Sequence, residues 1–160
     1  MYMNLAAAIE DPVERFRLTM VNSIAYFYPS KCFEKPLNPV LGETYQARGQ
    51  DGANIYCEQT SHHPPISHYY IEGPDKRYIV HGHASFTVFL WPNSVVITTK
   101  GEKTVRFHDG QTITFNNPGD TITNVFMGTM GHQLMCKIEF FDKANGLYGW
   151  YEPGNVKRKT

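Results

Sequence analysis

At 160 residues the chain is long enough for one domain with a real core, since a chain of this size buries roughly two-thirds of its unfolded surface. Fifteen basic and fifteen acidic residues cancel, which argues against nucleic-acid binding and against a polybasic membrane anchor, so any anion must be recognised locally. The three cysteines (Cys32, Cys57, Cys136) lack C-x-x-C spacing; they indicate neither a disulfide framework nor a cysteine zinc site and fit a reducing cytosol.

The apolar runs fall far short of a membrane span, and the start at Met1 lacks the layout of a signal peptide. Contact with membranes is therefore expected to be peripheral. In chain order, the first element is a helix. Asp11 offers a cap, Pro12 suits the first turn, and Glu14 stands where a capping box places its acid. Val13, Phe16, Met20, Ile24 and Phe27 recur at three- and four-residue spacing, which predicts one buried stripe on a helix ending near Tyr28. Asn4 to Glu10 also favours helix, but Pro12 should break the ladder between the two stretches.

After a Pro-punctuated stretch from Lys31 to Pro39 the pattern changes to short β-like runs. The candidate strands are Thr44–Arg48, Asn54–Thr60, Ile66–Glu72, Tyr78–Phe89, Ser94–Thr99, Thr104–Phe107, Thr112–Phe115, Thr121–Met127, Gln133–Phe141 and Leu147–Trp150. Turn signals separate them, among them Lys100–Glu102 and Asn116–Asp120. The 14 % aromatic content, with thirteen Gly and ten Pro, suits such a meander. The predicted class is mostly β: one N-terminal helical region followed by an antiparallel meander or barrel. The basic run Lys157–Lys159 ends the chain without a capping structure and reads as a solvated end.

Two segments carry chemistry. The run from Lys35 to Glu43 reads K-P-L-N-P-V-L-G-E, and the run from Glu58 to Pro65 reads E-Q-T-S-H-H-P-P. Paired prolines restrict the backbone around Lys35 on one side and around His62 and His63 on the other, so little entropy remains to be lost on binding. A lysine supplies a point charge and three donors, and each imidazole donates a hydrogen bond and becomes a second cation when protonated. A phosphomonoester, doubly charged with three acceptor oxygens, is the matching ligand.

Glu58 to Pro65 resembles the E-Q-V-S-H-H-P-P signature of the oxysterol-binding-protein-related lipid-transfer family, with Thr60 in place of the commonest Val. Lys35 to Glu43 resembles the same family's K-P-x-N-P-x-x-G-E motif, in the same order and at a similar separation. More weakly, the resemblance runs from the Asp11 helix to about Trp150. It implies a large, incomplete β-barrel around a tunnel for one lipid, with phosphatidylinositol 4-phosphate as the shared ligand. By motif position, Lys35, Asn38, His62 and His63 are then headgroup contacts, with the backbone near Leu37 on the inositol side. It further implies exchange of the phosphoinositide for a sterol or phosphatidylserine between membranes, without a cofactor and without catalysis. The family's lid and C-terminal headgroup contacts have no counterpart here, so residues 1–160 are expected to form a partial domain.

Other readings come from other histidines and nucleophiles. His81-Gly82-His83 puts two imidazoles on one face of a strand, a spacing that a metal-dependent β-barrel enzyme also uses, but no further ligand is evident nearby. Cys57 reads as a small apolar residue of the barrel wall, and Ser61 lacks a nucleophile elbow. A phosphoinositide sensor that does not transfer its ligand would carry the same two motifs. Phe86, Val88 and Leu90, or Phe126, Leu134 and Ile138, would serve equally as tunnel lining or solid core.

Overall fold

The computed structural model describes residues 2–26, 37–135 and 137–153. Among the described residues two helices come first, α1 (Tyr2–Ala8) and α2 (Pro12–Ala25), and eleven antiparallel strands follow. Asp11 caps α2 as its sequence suggests: its carboxylate accepts from the Val13 amide at 2.8 Å, and Pro12 occupies the first turn, where its missing N–H costs nothing. The Pro12 break makes Tyr2–Ala8 a separate helix rather than an extension of α2. Within the described residues α2 ends at Ala25 with Tyr26 as its cap, and Phe27 and Tyr28 lie outside them.

The buried face of α2 keeps only part of the predicted stripe: Phe16 is in the core and Met20 packs against it. Val13 and Ile24 are 40 % and 48 % exposed, whereas Arg15, Phe16, Thr19 and Ser23 are buried. Arg15, Thr19 and Ser23 turn inward because partners meet them there. The Arg15 guanidinium donates to the Ala6 and Ile9 carbonyls, to Gln111 Oε1 and to the Asp109 carboxylate, and Ser23 Oγ lies 3.1 Å from the Tyr151 hydroxyl. Periodicity ranks such residues as solvent-facing because it has no access to partners about a hundred residues away.

The strands are β1 (Thr44–Arg48), β2 (Asn54–His62), β3 (Pro65–Glu72), β4 (Tyr78–Trp91), β5 (Ser94–Lys100), β6 (Glu102–Phe107), β7 (Thr112–Asn116), β8 (Gly119–Thr123), β9 (Gly131–Met135), β10 (Ile138–Asp142) and β11 (Leu147–Tyr151). They pair in the order β1-β2-β3-β4-β6-β7-β10-β11, with β5, β8 and β9 as a second arm from β4. No pairing joins β1 to β11 among the described residues, so the sheet is open. The first arm packs on the helices: Met3, Ala6, Ala7 and Phe16 meet Tyr78, Val105, Phe107, Ile113, Phe115, Ile138 and Phe140. Phe140 is at its centre, stacked on Phe115 at 4.6 Å and edge-on to Phe16 at 6.4 Å. Burying one such side chain is worth roughly 1.5 to 3 kcal/mol.

Two expected turns prove to be bends. β5 and β6 pair with the same edge of β4 in one register, from Ser85↔Lys100 through Gly82↔Lys103, so the chain does not reverse at Gly101. β7 and β8 likewise run in one direction past Asn117 and Pro118, and the expected strand Gln133–Phe141 is divided into β9 and β10. Asparagine side chains stitch this seam. Buried Asn117 donates from Nδ2 to the carbonyls of His83 (3.3 Å) and Gly101 (3.1 Å), while Asn116 donates to the Lys137 carbonyl and accepts from the Glu139 amide. Gly101 has φ +121°, and a Cβ there would overlap the His83 carbonyl oxygen. Gly101→Ala should therefore cost about 2 to 3 kcal/mol in urea denaturation; an unchanged midpoint would mean that the bend tolerates a side chain.

The expected strand Thr121–Met127 stops at Thr123, because Asn124 adopts φ +58°. Beyond it Asn93 Oδ1 accepts from the Phe126 and Met127 amides and holds the loop against the β4–β5 turn. Phe126, grouped in sequence with Leu134 and Ile138, lies on this loop and is 78 % exposed, whereas Ile138 is wholly buried. Phe86, Val88 and Leu90 are likewise exposed and fill no core among the described residues.

Candidate functional site

The two proline-rich motifs meet. Val40 to Glu43 forms a tight turn in which the Glu43 amide donates to the Val40 carbonyl at 3.0 Å and the Glu43 carboxylate accepts from the Val40 amide at 2.9 Å. Gly42 supplies the left-handed φ, +78°, that the third position of such a turn requires. The turn then docks on β2: the Gly42 amide donates to the Gln59 carbonyl at 2.8 Å, and the Gln59 amide donates to the Glu43 carbonyl at 3.1 Å. Leu37 and Asn38 lie on the exposed lead into this turn, with Leu37 94 % exposed. Lys35 lies outside the described residues.

β2 ends at His62, and its neighbour His63 begins the turn to β3. Adjacent residues of a regular strand face apart, and two features alter that here. A bulge between Gln59 and Ser61 shifts the register, so Ser61 pairs with Ile66 and His62 with Pro65. One inserted residue flips the face, and His62 joins the row of Ile55, Cys57 and Gln59 on the helix side of the sheet. The His62 and His63 rings then meet edge-on, with centres 4.7 Å apart. Both are exposed.

Gln59 and Thr60 support this end, roles not read from the sequence. Gln59, 2 % exposed, donates from Nε2 to the Ser61 carbonyl at 2.8 Å and accepts from the Ser67 hydroxyl. Thr60 Oγ1 donates to the Ile66 carbonyl and lies 2.8 Å from His68 Nδ1. A polar residue alternating with exposed neighbours in a strand was the available signal for Gln59; the bulge has none.

Of the remaining histidines, His68 reaches this end through Thr60. His68 and His83 are cross-strand neighbours with ring centres 5.3 Å apart and share the outer face of the sheet with His81, in a groove of about 480 Å³ lined also by Tyr56, Glu58 and Tyr70. Among the described residues no three His, Cys, Asp or Glu side chains converge as metal ligands. His132 is paired with Asp120 at 2.7 Å. Cys57 is half-buried, and burial pushes its thiol pKa up, away from the reactive thiolate. No helix among the described residues is long and apolar enough to cross a membrane.

Comparison with known proteins places this geometry. The chain belongs to the oxysterol-binding protein family, whose model matches residues 2–148. It is 33 % identical to oxysterol-binding protein 9 of Dictyostelium discoideum over 92 % of the chain and 34 % of that protein. Against oxysterol-binding protein-related protein 2 of Mus musculus it is 37 % identical, over 88 % of the chain and 30 % of the relative. Among solved structures, the Osh1 ORD domain in complex with cholesterol superposes with TM-score 0.85 at 22 % identity, covering 95 % of this chain and 38 % of that one. The Osh3 ORD in complex with PI(4)P from Saccharomyces cerevisiae gives 0.78 at 18 % identity, covering 98 % and 43 %. The chain thus spans about a third of the length of these relatives, and its fold is shared with the two solved structures.

Proposed function

We propose that the chain is part of a lipid-binding domain that grips the headgroup of phosphatidylinositol 4-phosphate where its two proline-rich motifs join, with Lys35, Asn38, His62 and His63 as side-chain contacts and the backbone near Leu37 beside the inositol. One observation carries this reading: the Gly42–Gln59 and Gln59–Glu43 backbone bonds dock the Val40–Glu43 turn, into which Leu37 and Asn38 lead, on β2 near its histidine end. The exposed, edge-on His62 and His63 rings offer donors to a phosphate without first breaking other contacts. Solved relatives carry cholesterol and PI(4)P in their complexes. They support a non-catalytic role as a peripheral, cytosolic carrier that exchanges the phosphoinositide for a sterol or another lipid between membranes. Their greater length supports the further proposal that residues 1–160 are a portion of the complete lipid-binding unit.

In a protein carrying the complete domain, Lys35→Ala should lower affinity for phosphatidylinositol 4-phosphate by about 1.5 to 3 kcal/mol, the range for a charge-assisted hydrogen bond. Extraction of the labelled lipid from liposomes measures it, and undiminished extraction removes Lys35 from the site.

A further inference from the structure

The outer face of the sheet carries a histidine pair that the headgroup reading leaves unused. One row of side chains crosses β2, β3, β4 and β6 there. Glu58 stands opposite His68, His68 stands opposite His83, and the register that runs from Ser85↔Lys100 to Gly82↔Lys103 sets Glu102 opposite His83. The row reads acid, imidazole, imidazole, acid, with His68 exposed and His83 half-buried. The two ring centres are 5.3 Å apart. Thr60 fixes the tautomer of His68. Its hydroxyl proton goes to the Ile66 carbonyl, so the oxygen accepts from His68 Nδ1 at 2.8 Å and the ring's Nε2 is left with its lone pair. His81 shares this face but stands opposite Tyr70, in the next row.

We infer that His68 and His83 together bind a divalent transition-metal ion such as Zn²⁺ on the outer face of the sheet, with water completing its coordination. Two imidazoles that hold one ion at about 2.1 Å in a tetrahedral arrangement keep their ring centres roughly 5 Å apart. This pair already has that separation. The χ2 torsion of histidine is broad, so the His83 ring turns a nitrogen towards the ion while the backbone stays in place. Metal-bound imidazoles are oriented by a hydrogen bond from their other ring nitrogen to a fixed acceptor, and Thr60 is that acceptor for His68. Glu58 and Glu102 at the two ends of the row favour a cation over an anion. Imidazole nitrogen selects zinc, nickel or copper over calcium and magnesium. Among the described residues no third His, Cys, Asp or Glu side chain converges on the pair, so the site has two protein ligands and stays open to solvent.

Titration of the chain with ZnCl₂, followed by nuclear magnetic resonance of its imidazole rings, tests the site. Zn²⁺ should move the His68 and His83 ring signals together, both in the unsubstituted chain and in the His62→Ala/His63→Ala variant. That variant removes the other neighbouring imidazoles and keeps the outcome separate from the headgroup reading. CaCl₂ and MgCl₂ should move neither signal. His68→Ala and His83→Ala should each weaken Zn²⁺ binding at least about tenfold, since losing even the outer hydrogen-bond partner of a metal-bound imidazole costs that much. His81→Ala should leave the affinity unchanged. Should His68→Ala or His83→Ala fail to fold, the ring signals of the chain with both histidines intact decide the matter. Unmoved His68 and His83 signals at a large excess of Zn²⁺, full affinity in folded His68→Ala, a loss in His81→Ala as large as in His68→Ala, or the same signals moved by Ca²⁺ would each overturn the inference.

Discussion

Arg15→Ala is expected to destabilise the chain by about 3 to 5 kcal/mol, the cost of breaking a buried ion pair by deleting one partner. Arg15 is 1 % exposed, and its guanidinium ties α1, α2 and the β6–β7 turn together through Ala6, Ile9, Asp109 and Gln111 while lying 4.8 Å from the Phe107 ring centre. Its removal leaves a cavity beside Phe107 and takes a donor from the Gln111 amide oxygen and from the Ala6 and Ile9 carbonyls. Asp109 is 39 % exposed, so solvent softens its part of the loss. Urea denaturation followed by circular dichroism gives the value, and a loss under about 1 kcal/mol would mean that the network is dispensable.

The same pair has a pH signature. Desolvation acts to raise the Asp109 pKa, but the hydrogen bonds from Arg15 and the Gln111 amide, with the nearby charge, hold it below the ordinary 3.8. A carboxylate depressed on folding contributes stability that is present above its unfolded pKa and is lost as pH falls through the folded value. The unsubstituted chain should therefore weaken as pH drops below about 4, and Arg15→Ala should weaken less over that interval.

The second large effect concerns binding. In a protein carrying the complete domain, His62→Ala/His63→Ala should reduce phosphatidylinositol 4-phosphate extraction by at least about two orders of magnitude, since two charge-assisted contacts of about 1.5 to 3 kcal/mol each disappear. The fold should survive, because both rings are exposed, while the turn docking is made by the Gln59 backbone and the bulge is braced by the Gln59 side chain. Gln59→Ala supplies the contrast: it empties a buried hydrogen-bonded position and should lower stability and extraction together. Extraction and circular dichroism on the same samples separate the two. Retained extraction by the histidine double variant would show that the pair does not hold the phosphate.

What the sequence determined by itself was local. The Asp11-Pro12 start of α2 and the β1 span Thr44–Arg48 emerge unchanged because capping chemistry and strand alternation act within a few residues. The two motifs were legible for the same reason: prolines and low-frequency residues stand contiguous in the chain. The tertiary structure decided the rest. It buried Arg15 and Ser23 beside Phe16 and left Val13 and Ile24 exposed, since the partners Asp109, Gln111 and Tyr151 are distant in sequence. It turned the breaks at Gly101 and Asn117 into bends, because Gly and Asn mark a departure from regular backbone without stating its direction, and strand pairing across β4 and β5 sets that direction. It also brought His62 round to the inner face through a single extra residue in β2, a displacement that only cross-strand register defines.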